Sequence, residues 1–347
     1  DRKKHLDSRV LGLAKVVYHN KLGSQGDRVE RVQTIARAIG QQLGGEALAL
    51  QADQAALLAK ADLLTDMVGE FPELQGIMGR YYAKHDGLSD DIADAIEDHY
   101  KPRFAGDELP RNQVGICVAL ADKLETLVGL FGIGQIPTGD KDPFALRRHA
   151  LGIIRILIEN DIPISIVELV DLAISAMPQN AKSDSLPPVE FMLERARSYF
   201  EEKGFNTKAI ESVLRPWGAA SPLGPIPEIV ADATKFIATQ EGQELAQNNK
   251  RITNILKKSN YEVPFGMSPR SLKILPDTSK FIDDAERVLY SALLSAGEES
   301  LRLREEKRFA YALTALISLS EPVSAFFDYV MVNAEDEQIR DNRITLL

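Results

Sequence analysis

Asp122, in the run ALADKLE, and the pair His85-Asp86 are side chains of a type that can hold a divalent cation. A helical metal-dependent phosphohydrolase needs an early His, an internal His-Asp pair and a late Asp on one ion. Asp122 fits the late position. The helical stretch from 27 to 43 has no histidine, and LLAKADLLTD, where the internal pair would fall, offers Lys60 and Asp62. His85-Asp86-Gly87 reads as the turn that ends a helix, with Gly87 as its left-handed cap. These five positions are expected to be degenerate, with no working metal site. His5, His19, His99 and His149 are too widely spaced for a ligand cluster and are expected at or near the surface. Only His149, beside two arginines, has a neighbourhood that invites a polyanion.

Anion chemistry has better candidates. In FGIGQIPTGDKDPFALRRHALGIIRI, residues 131–156, Gly134 and Gly139 have the spacing of a phosphate-binding loop. Asp140 and Lys141 follow where Lys and then Ser or Thr are required, so that motif fails. Asp142 as N-cap with Pro143 at the first helical position predicts a helix from there to about Asn160. Arg147 and Arg148 would project from its first turn with Lys141 nearby, as a phosphate or carboxylate site; surface ion pairing is the plainer alternative. A second group lies in NNKRITNILKK, residues 248–258. Spacing by four puts Lys250, Asn254 and Lys258 on one helix face, with Asn249 and Arg251 beside them, suited to a nucleic-acid backbone or bases. Lysines at a helix C-terminus also complement its dipole, which by itself accounts for Lys257 and Lys258.

The elements that must position these groups read as helices almost throughout. They are expected at 11–22, 27–43, 51–71, 73–85, 90–100 and 112–131, with Asp90 as an N-cap. Further helices are expected at 162–177, 189–203, 207–214, 229–258 (one, or two joined near Glu241-Gly242), 279–296, 301–319, and from Pro322. Val323, Phe326, Phe327, Val330 and Met331 form the core stripe of the last of these. RPWGAASPLGPIPE, residues 215–228, has four prolines and two glycines and reads as a linker, with Trp217 anchoring it and a domain boundary near 225.

The chain has 347 residues, more than one average domain, and a formal net charge of -10, which argues against indiscriminate nucleic-acid coating. Its small basic patches suit selective, salt-sensitive RNA binding. The single Cys117 excludes an internal disulfide and fits a reducing compartment. No run of about 18 apolar residues stands out as a membrane span. DRKKHLDSRV has neither an initiator Met nor an apolar signal core, so the chain is expected to be a piece of a longer protein.

Five blocks in order, YAKHDG (82–87), ADKLETL (121–127), FGIGQIPTGDKDPFALRRHALGI, NNKRITNILKK and EPVSAFFDYVMVNAEDEQIRDNRITLL (321–347), carry a resemblance. The chain closely resembles the C-terminal half of the beta subunit of bacterial two-subunit glycyl-tRNA synthetases. The resemblance implies an all-α fold in three parts: a degenerate HD-like helical domain (1–160), a helical connector (161–225) and an arginyl-type, DALR-like anticodon-binding bundle (226–347) whose last helix continues past Leu347. It also implies an HD-like fold kept without hydrolase chemistry. The holoenzyme, alpha2beta2 and cytoplasmic, would join glycine to its tRNA, with ATP and Mg at an active site on the alpha subunit. This chain would have no catalytic residue, metal or cofactor of its own, and no membrane or DNA partner. Lys141, Arg147, Arg148, Asn249, Lys250, Arg251, Asn254 and Lys258 would contact RNA. An HD-type phosphohydrolase and a purely structural helical adaptor are the rival readings.

Overall fold

The computed structural model describes residues 1–217, 219–259 and 275–347; the side chains of 215–217, and with them the anchoring expected of Trp217, lie outside the description, as does most of the expected loop at 259–276. The chain forms two compact units, one of residues 1–199 with 218–224 and one of 200–217 with 225–347.

The first unit is helical apart from a short hairpin. A helix α1 (Asp7–Val10) and a 3₁₀ turn lead into β1 (Val17–His19) and β2 (Gly23–Ser24), where the sequence predicted one helix over 11–22. Valines at 16 and 17 and Tyr18 favour the extended form, and Gly23 takes the positive φ that closes the turn. Ser24 and Asp27 then form a capping box for α2 (Gln25–Leu58). This helix is broken at Gly45, with φ 70° and ψ -164°, and its second limb folds back on the first. Gly40 lies so close to Ala49 that a methyl group there would meet its backbone at 2.9 Å.

Short helices α3 (Asp66–Glu70), α4 (Ile77–His85) and α5 (Asp90–Asp98, capped by Ser89 rather than Asp90) follow. The end of α2, a 3₁₀ turn at Ala61–Leu64 and α3 replace the single helix expected over 51–71, because Asp62 and Thr65 impose turns there, while α4 and α5 answer to the helices expected at 73–85 and 90–100. Next comes α6 (Gln113–Gly132), capped by Asn112. Its sequence is apolar nearly all round, so it is buried from Val114 to Phe131 and packs against α2, α5, α7 (Leu146–Glu159) and α8 (Ile166–Ala176). Gly132 ends it against the Ala181 carbonyl, where a Cβ would sit 1.8 Å from the oxygen. A further helix, α9 (Leu186–Glu202), runs out of the first unit.

The second unit comprises α10 (Thr207–Trp217), α11 (Ile226–Ile237), α12 (Gln240–Lys258), α13 (Asp284–Glu305), α14 (Phe309–Ala315), α15 (Ser320–Tyr329) and α16 (Glu337–Leu346). Thr239 caps α12, which splits the 229–258 run. Lys307, at φ 58°, splits the helix expected over 301–319. Phe281, Leu289, Val323, Phe326, Val330, Val332, Ile344 and Leu346 form the core. Phe327 is half-buried, and Met331, expected in the core, is 73% exposed because the chain leaves α15 at Tyr329. The run Phe309–Tyr329, with mean hydropathy 1.3, is long and apolar enough on composition to cross a membrane, contrary to the sequence reading. Within this unit its α14 and α15 pack on α11, α12 and α13.

Candidate nucleic-acid interface

Charged side chains fill the surroundings of Asp122, the expected late metal ligand. Asp122, 4% exposed on α6, lies 3.0 Å from Arg28 and 3.4 Å from Lys60. Arg28 also reaches Glu125 at 2.9 Å and donates to Thr126 at 2.8 Å, and Arg31 pairs with the second Glu125 oxygen at 2.7 Å. Arg28 lies over the Tyr18 ring and the Lys60 ammonium over Tyr100. Burial opposes ionisation of Asp122, yet Arg28 above all, then Lys60, holds its carboxyl far below the ordinary range. Burial brings Lys60 and Lys123 down to about 8 despite Asp122. Lys123 donates to the His99 and Lys101 carbonyls, its stem fitting beside Gly152 of α7.

The other residues of the expected HD-like set point elsewhere. Asp62 is buried, but its carboxylate turns to the start of α4, accepting from the Gly76 and Gly79 amides at 2.6 and 3.0 Å. His85 is exposed at the end of α4, and Asp86 accepts from the Leu6 amide at 2.7 Å, with Gly87 at φ 83°. Among the described residues no three His, Cys, Asp or Glu side chains converge as a metal site requires. The donor set around Asp122, two arginines and two lysines, does not fit a metal ion. Sequence reasoning missed Arg28, Arg31 and Glu125. The available signal was charge at core spacing: Arg28 and Arg31 alternate with buried Val29 and Val32, and Glu125 sits three residues after Asp122 in an apolar helix.

One of the histidines is not where the sequence put it. His99 is fully buried, its Nδ1 2.6 Å from the Ile96 carbonyl. His149 is half-buried: burial first, then Lys123, lowers its pKa to about 4, so it is neutral at pH 7 and no polyanion contact is supported. A histidine lowered in the fold stabilises fully above its unfolded value near 6.5 and loses that contribution as pH falls towards 4. Between those pH values wild-type stability should fall by about 2–3 kcal/mol from this group. His149→Gln should flatten that slope in denaturant titrations; an unchanged slope would assign it to other groups.

The loop before α7 is tightly built. Thr138 and Lys141 exchange backbone hydrogen bonds across Gly139-Asp140, and Gly134 and Gly139 have positive φ. The helix starts at Leu146, three residues later than predicted, because Ala145 is left-handed (φ 55°). Asp142 still caps it, its two oxygens accepting from the Leu146 and Arg147 amides at 2.8 and 2.9 Å. The Arg147 guanidinium donates to the Gly139 carbonyl at 2.6 Å and lies 4.0 Å from Asp142, which makes it a latch for the turn. Lys141 and Arg148 are exposed and, among the described residues, unpaired.

In the second unit α12 turns Ile252, Ile255 and Leu256 to the core and leaves Asn249, Lys250, Asn254, Lys257 and Lys258 exposed. Asn248 ties it to α15 through Ser320 and Ser324. Arg251 stacks over Phe327 at 4.0 Å, so part of its side chain serves packing.

Comparison with known proteins decides the family. Residues 1–215 match the family model described as glycyl-tRNA synthetase beta subunit, and residues 245–347 match the DALR anticodon binding domain. The chain belongs to the glycyl-tRNA synthetase beta subunit family. This beta-subunit chain is 57% identical over 350 residues to the glycine–tRNA ligase beta subunit of Thiobacillus denitrificans. It is 53% identical over 351 residues to that of Dechloromonas aromatica and 52% over 349 to that of Paracidovorax citrulli. Each alignment covers all of this chain and 47–48% of the relative, so the chain spans about half the length of the curated relatives it matches. Its mostly helical fold and DALR domain agree with the all-α expectation.

Proposed function

We propose that this beta-subunit chain holds glycine tRNA for an enzyme whose active site, with ATP and Mg, lies on a separate alpha subunit. The holoenzyme is alpha2beta2 and works in the cytoplasm; this chain supplies no catalytic group and engages neither membrane nor DNA. The parts are an HD-like domain (1–160), a connector (161–225) and an anticodon-binding bundle (226–347). The observation that carries the reading is α12: an apolar stripe fixed in the core of a DALR domain with Lys250, Asn254 and Lys258 exposed on its other side. Cations there bind phosphates and Asn254 can read a base edge.

Fluorescence anisotropy of labelled glycine tRNA, beside a transcript with a changed anticodon, tests it at low and near-physiological salt. Preference for the native anticodon that persists as salt rises is expected; equal, salt-erased binding to both would end the base-reading role. Lys250→Ala with Lys258→Ala should weaken tRNA binding and lower the salt slope by about 2 while melting stays unchanged. A matching fall in melting temperature would instead make these lysines structural. Arg251→Ala should lose both affinity and a few tenths of a kcal/mol to about 1 kcal/mol of stability, since it uncovers Phe327.

A further inference from the structure

We infer that the first unit binds an unpaired end of RNA at the surface formed by the β1–β2 hairpin and the loop before α7, with a base stacked on Phe144. This rests on the tRNA-holding role and names the form of RNA that the first unit takes. The Phe144 ring is 36% exposed and meets His19 of β1 at 6.0 Å and 69°, so the hairpin supports the ring without stacking flat on it. Lys21, two residues after His19, and Lys141 and Arg148, three residues before and four after Phe144, are exposed. Asp142 is taken up in capping α7, which leaves Asp140 as the exposed acid of the loop from 133 to 148. In a chain of net charge -10, this local excess of cations beside an open aromatic ring is unusual.

The platform is held from several sides. Asn180 donates to the Lys21 carbonyl at 3.0 Å, the Lys21 amide donates to His19 Nδ1 at 3.2 Å, and Arg147 fixes the turn that carries Lys141. Little ordering is left to be done when a ligand arrives. A duplex hides its base faces, whereas an unpaired nucleotide can stack on an aromatic ring while its phosphates meet cations. Phe144 with Lys21, Lys141 and Arg148 offers that combination. Arg147 is a positioning residue here.

The test uses the intact two-subunit enzyme, full glycine tRNA and the same RNA trimmed of its single-stranded 3′ nucleotides. Trimming should weaken binding to the wild type about tenfold, the worth of one base–aromatic stack. Phe144→Leu should weaken the full tRNA about tenfold, leave the trimmed RNA unaffected and leave melting unchanged, and Phe144→Trp should restore full binding. If trimming costs Phe144→Leu as much as it costs the wild type, the stack is absent and the inference is overturned. It is equally overturned if Phe144→Leu spares both RNAs and weakens association with the alpha subunit, which would make the loop a protein contact. Failure of the wild type to bind either RNA would instead overturn the tRNA-holding role itself.

Discussion

Replacing Asp122 with alanine should cost the first unit about 3–5 kcal/mol, the usual loss when one partner of a buried ion pair is removed. Arg28 cannot shed its proton, so without Asp122 it stays charged with Glu125 as its remaining anion, itself shared with Arg31. Lys60 can respond. Its pKa is already lowered to about 8 by burial, so it would lose its charge. Lys60→Met should therefore be much milder, and in the Asp122→Ala background should restore part of the loss. Denaturant unfolding of the four proteins forms the double-mutant cycle; additive losses would show that Lys60 and Asp122 do not interact. Because the folded carboxyl titrates below its unfolded range, the contribution of Asp122 is whole above about pH 4 and is lost as pH falls further.

Arg343→Ala should have an effect of similar size in the second unit, about 3–5 kcal/mol, and through a comparable geometry. Arg343, 6% exposed on α16, donates to Glu286 and Asp283 at 3.0 Å each and to the Met331 carbonyl at 2.9 Å. Glu286 is fully buried; burial opposes its charge, but Arg343 and the Ile282 and Asp283 amides outweigh that and lower its pKa. Losing the guanidinium leaves a buried carboxylate and releases α16 from the start of α13, where Asn342 also clasps the Asp277 backbone. Amide exchange should quicken across α16 first. Arg343→Ala with Glu286→Gln should recover stability relative to the single change, and a double variant worse than either would refute the pairing.

Much of this architecture was legible in residue patterns. The unbroken apolar run after Asn112 placed α6, and the helix expected over 27–43 stopped where Gly45 breaks α2, since these signals depend only on local backbone chemistry. The hairpin at 17–24 was hidden because three extended residues leave no periodicity to detect. The start of α7 was read three residues early: Asp142 does cap the helix, but across a left-handed Ala145 that no propensity favours. Lys60 and the missing histidine were visible in the sequence, whereas Arg28 and Glu125, which pair beside Asp122, lie 97 positions apart and met only in the fold. Arg147 and Arg148 are adjacent and chemically alike, so only coordinates could separate the latch from the free cation.

The cations around Asp122 are covalent parts of the polypeptide. A fold whose central positive charge had to be captured from solution would form only as fast, and persist only as long, as that ion was supplied. Arg28 and Lys60 arrive with the nascent chain, one of each for every Asp122 carboxylate. Neither starvation for transition metals nor a strong chelator should therefore loosen the packing around Asp122.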